Sequence, residues 1–212
     1  MSPNDCIHGL YAITPDGVQS DVLEAAVAAA LCGGVTVLQY RCKSLSRPAR
    51  RQQAEQIRKM CREYGTTFIV NDDVWLAAEL DADGVHLGSG DGSLQSARQT
   101  LGPEKIIGVS CYNDLSLAES ARKSGADYIA FGSFFPSATK PLAAHADISL
   151  IAQAKQRFAI PVVVIGGITL ENAPQLIGAG ADALAVISDL FGAADIDARA
   201  SAYKKLFGDH VR

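Results

Sequence analysis

Eight short apolar runs, each separated from the next by a stretch of helical period, constrain this chain more than any other feature. The runs are LYAIT (10–14), TVLQY (36–40), TFIV (67–70), GVHL (84–87), IIGVS (106–110), YIAFG (128–132), VVVIG (162–166) and ALAVIS (183–188). Amphipathic helices are expected at 21–32, 47–64 and 114–124, and Gly33, Gly65, Gly125 and Gly180 stand where a helix ends in left-handed backbone. Runs this apolar, flanked by helices in sequence, call for a parallel sheet covered on both faces. Three corners repeat, since DADGVHLG, GADYIAFG and GADALAVIS each set Ala-Asp directly before a strand. Eight units in 212 residues fit one α/β domain over 1–212, a (β/α)8 barrel somewhat below the typical ~250 residues. An open doubly wound sheet is the competing reading. Against it, no GxGxxG opens the first unit, and phosphate signals fall after runs seven and eight.

Composition narrows the ligand. With 48% apolar residues the chain can bury a large core, and 19 basic against 23 acidic residues form no basic block. Neither a nucleic acid nor an anionic membrane is an expected partner, and a small soluble ligand is. The longest uncharged run, Ala25 to Tyr40, has 16 residues broken by Gly33-Gly34, short of the ~20 that a membrane helix needs. MSPNDCIHGL lacks a basic-then-apolar signal pattern, and five cysteines without CxxC spacing point to reduced thiols, so a cytoplasmic location is expected. The four histidines show no zinc-ligand spacing. Oligomeric state is left open, a homo-oligomer included.

In a barrel, chemistry gathers at the carboxyl ends of the strands. Asn71 and Asp72 leave the third strand and Asp91 follows the fourth. These loops are neighbours, so two carboxylates can converge on a Mg²⁺ that handles phosphate oxygens. An acid here can also cap the helix starting at Val74; Asp73 is assigned the cap and Asp72 the metal. In QYRCK, period two puts Gln39, Arg41 and Lys43 on one face, where the cations suit phosphate and Gln39 can orient a heterocycle. Gly166-Gly167 and Ser188, after strands seven and eight, mark a second anion site, with Ser188 expected to cap a short helix. The long segment 132–146, carrying Ser137, Thr139 and Lys140, is expected to act as a lid. Ser110 ends strand five, and His86 reads as a wall residue rather than a base. No Ser-His-Asp or Cys-His set is present. Two anion pockets, one with a metal, suit a reaction in which the substrates supply the chemistry and the protein supplies placement and charge.

At these residues the chain strongly resembles the thiamine-phosphate synthase family, from LYAITP to VISDLF. The matching elements are QYRCK, VNDD, HLGSGD, GVS, FPSATKP, IGGI and VIS. The resemblance implies a (β/α)8 transferase joining 4-amino-2-methyl-5-hydroxymethylpyrimidine pyrophosphate to 4-methyl-5-(2-phosphoethyl)thiazole. It implies that Gln39, Arg41, Lys43, Asn71, Ser110, Lys140 and Gly167 hold the pyrimidine pyrophosphate. Asp72 and Asp91 would bind Mg²⁺, and Ser137, Thr139, Ile187 and Ser188 the thiazole phosphate. The pyrimidine would ionise to a carbocation captured by the thiazole nitrogen, without a protein nucleophile. Among these, Arg41, Lys43, Ser110 and Lys140 are the catalytic candidates. Cys42, Ser89 and Ser137 depart from the family pattern, which usually has an acid, often Gln, and Thr there. A thiazole tautomerase of the same fold is the nearest rival. It typically lacks an acid at the Asp91 position and has His where this chain has Cys111. A phosphate-ligand sensor could lose Asp72, Asp91 or Lys140, and none is lost.

Overall fold

All eight apolar runs form strands, and the strands close into a barrel. The structure is a computed structural model that describes residues 6–88, 90–136 and 146–208. Strands β1 (Gly9–Ile13), β2 (Val37–Tyr40), β3 (Thr67–Asn71), β4 (Gly84–Leu87), β5 (Ile106–Tyr112), β6 (Tyr128–Phe131), β7 (Val162–Ile165) and β8 (Ala183–Val186) pair in sequence order, all parallel. β8 returns to β1 with Leu10 opposite Leu184. The helices are α1 (Ser20–Cys32), α2 (Arg47–Tyr64), α3 (Val74–Glu79), α4 (Leu94–Leu101), α5 (Leu115–Lys123), α6 (Ser149–Arg157), α7 (Ala173–Gly178), α8 (Ser188–Phe191) and α9 (Ile196–Leu206). None of the helices among the described residues is long and apolar enough to cross a membrane. The open doubly wound alternative is therefore excluded.

The Ala-Asp corners have a common physical reason. Asp83 Oδ2 accepts from Phe68 N at 2.8 Å, Asp127 Oδ2 from Ile107 N at 2.7 Å, and Asp182 Oδ2 from Val162 N at 2.7 Å. Each acid, just before β4, β6 or β8, thus satisfies an N–H of the preceding strand that the ladder leaves open. Arg98 and Lys155 pair with Asp127 and Asp182 at 2.6 and 2.8 Å.

Alternation sorts the strand side chains into two cores. Leu38, Phe68, Val70, Val85, Ile107, Ile129, Val164 and Leu184 face the helices, whereas Tyr11, Val37, Ile69, Tyr128, Val163 and Ala183 fill the barrel. Gly108 makes the interior arrangement possible, because a Cβ there would lie 1.9 Å from the ring of Tyr128.

Three local expectations need correction. Gly33 has φ −70°, and the left-handed residue is Gly34 at +97°. Gly33 is small for another reason, since a Cβ would meet Asp197 O at 2.4 Å where α9 crosses α1. β8 ends at Val186 rather than at 188, as Ile187 already leaves extended backbone. Ser188 is then the first residue of α8 rather than its cap, a position held by Ile187.

Candidate active site

Inward side chains from the strand ends share one cavity of about 750 Å³ at the carboxyl end of the barrel. Gln39, Arg41, Asn71, Ser110, Gly167, Ile187 and Ser188 all line it. Seven positions singled out between Gln39 and Ser188 are thus brought together. A second cavity, about 570 Å³, lies at the opposite end near the starts of β3 and β5. Its Arg58 and Lys105 both pair with Asp81, at 3.0 and 2.6 Å, so these cations are already matched.

The two metal candidates do converge. Asp72 has φ 65°, a left-handed corner that Asp tolerates better than most side chains and that breaks the alternation of β3. Asn71 therefore faces the cavity while Asp72 turns to the loop after β4. Partial burial, and then the carboxyl of Asp91 within hydrogen-bond reach, raises the proton affinity of Asp72 above the usual carboxylate range despite Lys43. Asp91 Oδ2 accepts from Gly88 N at 2.8 Å. Asp73 takes the cap, its Oδ1 accepting from Leu76 N at 2.9 Å and its Oδ2 pairing with Arg50 at 2.7 Å. Two crowded carboxylates with hard oxygen donors fit a divalent cation, whose other ligands would be water and substrate oxygens. Among the described residues no cluster of three or more His, Cys, Asp or Glu adds to them.

Lys43 does not line the cavity. It stands at the rim, 59% exposed, with Nζ 3.1 Å from Asp72 Oδ2. The loop that carries it is organised by Asp16, which the sequence reading missed. Asp16 Oδ1 accepts from Lys43 N at 3.0 Å, Ser44 N at 3.2 Å and Ser44 Oγ at 2.9 Å, while its Oδ2 lies 3.9 Å from Arg41. Thr14 adds a second brace, accepting from Arg41 N at 2.8 Å.

His86 is a wall residue. Its Nδ1 meets Tyr128 Oη and its Nε2 meets Ser110 Oγ, each at 2.9 Å. Burial pushes its pKa down to about 4, so the ring is neutral near pH 7.

The second anion loops are held from behind. Asn172 donates from Nδ2 to Gly167 O and accepts at Oδ1 from Thr169 N, both 2.9 Å. Gly166 and Gly167 have φ of 109° and 58°, and a Cβ on Gly167 would lie 2.3 Å from Pro136 O. Both glycines are thus needed by the chain itself as well as lining the cavity. Asp189, beside Ser188, is held by Tyr203 Oη at 2.6 Å and Arg199 at 3.2 Å. This triad has no local sequence signal, because α9 supplies two of its members.

Ser137, Thr139, Lys140 and Ser89 lie outside the described residues, as does most of the 132–146 segment expected to be a lid. Its described ends are tied down, Phe134 N and Phe135 N donating to Ile165 O and Gly166 O, and Ala146 N to Ser133 O at 2.8 Å.

Comparison with known proteins agrees with this geometry. A family model described as thiamine monophosphate synthase matches residues 10–190. The chain is 55% identical over 201 residues to the thiamine-phosphate synthase of Methylobacillus flagellatus, covering 95% of this chain and 96% of the relative. It is 51% identical over 205 residues to that of Aromatoleum aromaticum, covering 97% and 99%. Among solved structures, a thiamine phosphate pyrophosphorylase from Pyrococcus furiosus superposes with a TM-score of 0.85 at 34% identity, covering 96% of each chain. With its motifs gathered at one barrel mouth, the chain belongs to the thiamine monophosphate synthase family.

Proposed function

We propose that this chain, folded as a single barrel domain, is a transferase that joins 4-amino-2-methyl-5-hydroxymethylpyrimidine pyrophosphate to 4-methyl-5-(2-phosphoethyl)thiazole, giving thiamine phosphate and pyrophosphate. The observation that carries the reading is the meeting of Gln39, Arg41, Asn71, Ser110, Gly167, Ile187 and Ser188 around one cavity, with the Asp72–Asp91 pair at its rim.

Gln39, Asn71 and Ser110 orient the pyrimidine, and Arg41 and Lys43 receive its pyrophosphate, as Asp16 holds both in one loop. Asp72 and Asp91 would hold Mg²⁺, which when bound neutralises charge on phosphate oxygens. The carbon–oxygen bond to pyrophosphate breaks with its electron pair leaving on oxygen. The thiazole nitrogen then donates its lone pair to the pyrimidine methylene. Preorganised cations stabilise the charge that develops on the departing group, and no side chain need act as nucleophile. Gly167 joins the contacts to the pyrimidine pyrophosphate, whereas Ile187 and Ser188 border the space for the second substrate, with Ser188 on the thiazole phosphate. By family match, Ser137 and Thr139 join that pocket and Lys140 the pyrophosphate. Five cysteines without CxxC spacing suit a reducing cytoplasm.

The tautomerase alternative gains nothing from the site. Cys111, at the position where that group carries His, is fully buried among the helices and its thiol is pushed up to about 12. The test is to mix the protein with both substrates and Mg²⁺ and to measure pyrophosphate and thiamine phosphate together. Equal amounts of both are expected, and the formation of neither overturns the proposal.

A further inference from the structure

A line of hydrogen bonds crosses the barrel interior and joins two residues of the pyrimidine pocket. Gln39 Nε2 donates to Tyr11 Oη at 2.7 Å, Tyr11 Oη lies 2.8 Å from Tyr128 Oη, and Tyr128 Oη lies 2.9 Å from His86 Nδ1. His86 Nε2 then meets Ser110 Oγ at 2.9 Å. Five strands contribute one residue each. Gln39, Tyr11, Tyr128 and His86 are all buried, and the rings of His86 and Tyr128 stack with centroids 5.5 Å apart.

Such a chain has a direction, because each hydroxyl has one proton and a buried one left without a partner is unfavourable. The amide N–H of Gln39 occupies a lone pair of Tyr11, so the proton of Tyr11 goes to Tyr128. Tyr128 in turn donates to His86 Nδ1. Both ring partners of His86 are neutral hydroxyls and no carboxylate bonds the ring directly, Asp91 acting only from a distance, so the buried ring carries one proton. That proton sits on Nε2 and is donated to Ser110 Oγ. Ser110 keeps its own proton for the cavity. At the far end, with Nε2 engaged by Tyr11, Gln39 offers its carbonyl Oε1.

We propose that Tyr11, Tyr128 and His86 are positioning residues that fix the hydrogen-bond polarity of the pocket, making Ser110 a donor and Gln39 an acceptor toward the ligand. The consequence is selectivity for an aminopyrimidine over an oxopyrimidine. An amino group can donate to Gln39 Oε1, whereas an oxo group would set two acceptors against each other. A polar group matched or mismatched in this way discriminates strongly in a water-poor site. The selectivity rests on the pyrimidine assignment made above, but the polarity rests on the interior chain and on the Gln39 amide that starts it.

The test has two arms. In the first, the ring nitrogens of His86 are observed by NMR in ¹⁵N-histidine-labelled protein without substrate at neutral pH, and identified by their absence from His86→Gln. The Nε2–H tautomer with bare Nδ1 is expected, and Nδ1–H, which would have Ser110 donating into the ring, overturns the proposal. In the second, binding of the 4-amino pyrophosphate and its 4-oxo analogue is compared in wild type and Tyr128→Phe. Without the Tyr128 hydroxyl the chain can reverse, and the amino-over-oxo preference should fall about tenfold, the size of one ligand hydrogen bond, with thiazole-phosphate affinity unchanged. An equal loss for both analogues, or an unchanged preference, overturns it. If Tyr128→Phe does not fold, Tyr11→Phe interrupts the same chain one hydroxyl away. If wild type binds neither pyrimidine, the substrate assignment fails and the His86 tautomer alone decides the polarity.

Discussion

Lys43 Nζ lies 3.1 Å from Asp72 Oδ2, on a carboxylate that also faces Asp91. One exposed ammonium therefore balances part of a crowded negative pair, and a divalent cation would relieve it more fully. Replacing Asp91 by Asn keeps an acceptor for Gly88 N while removing one charge. Turnover in Asp91→Asn or Asp72→Asn should fall by about two orders of magnitude or more, the scale of electrostatic stabilisation in a preorganised site. Product formation titrated against Mg²⁺ checks this, and wild-type rates at limiting Mg²⁺ would dismiss the assignment.

Arg41 lines the cavity and leans on Asp16 at 3.9 Å, too far for a strong bond, so its guanidinium is available to an anion. Arg41→Ala should weaken binding of the pyrimidine pyrophosphate by roughly 10- to 100-fold, the worth of a charge-assisted hydrogen bond. Thiazole-phosphate affinity, measured separately, should stay within about twofold, since that pocket is assigned to the opposite strands. The reverse pattern would exchange the two anion pockets.

Much of this was legible in the sequence because the controlling features are local. The strands follow from apolar runs, the Asp73 cap from its place before Val74, and Asn71, Asp72 and Asp91 from loops on adjacent strands. What escaped depends on distance along the chain. Asp16 acts on Lys43 and Ser44, 27 and 28 residues away, from a stretch without periodicity. Tyr11 meets Tyr128 across 117 residues, and in sequence both look like ordinary apolar strand positions. Gly33 illustrates the opposite error, where a local rule predicted left-handed backbone but helix crossing was the reason for the glycine.

The Ala-Asp corners carry a prediction about stability rather than chemistry. Asp127 accepts from Ile107 N and pairs with Arg98, and its side chain is 18% exposed. Asp127→Ala leaves Ile107 N without its acceptor and takes the carboxylate from Arg98, which keeps only backbone carbonyls such as Gly125 O at 3.1 Å, all at the amino end of the barrel and away from the cavity. Urea unfolding should show a loss of about 1–3 kcal/mol, with the rate per folded molecule retained. A stability change within ~0.5 kcal/mol would mean that water replaces the carboxylate and that the repeat is not structural.

His86 couples the same interior to pH. Its ordinary value is 6.5 and burial lowers it to about 4 in the folded chain. Between these values the unfolded chain binds a proton that the native chain does not, so stability rises with pH across the window. The contribution of the neutral ring is complete above pH 6.5 and is lost as pH falls towards 4, by about 3 kcal/mol at 1.36 kcal/mol per unit. Carboxylates also titrate on the acid side, so the wild-type curve alone does not isolate the histidine. His86→Gln provides the reference, because it keeps a neutral polar group and removes the titration. The stability difference between wild type and His86→Gln, measured by denaturant unfolding at several pH values, should be constant above about pH 7 and should shift against wild type on acidification to pH 4. A difference that stays flat from pH 7.5 to 4 would show that the ring gains a proton within the barrel as readily as in water, and the neutral wall residue would have to be abandoned.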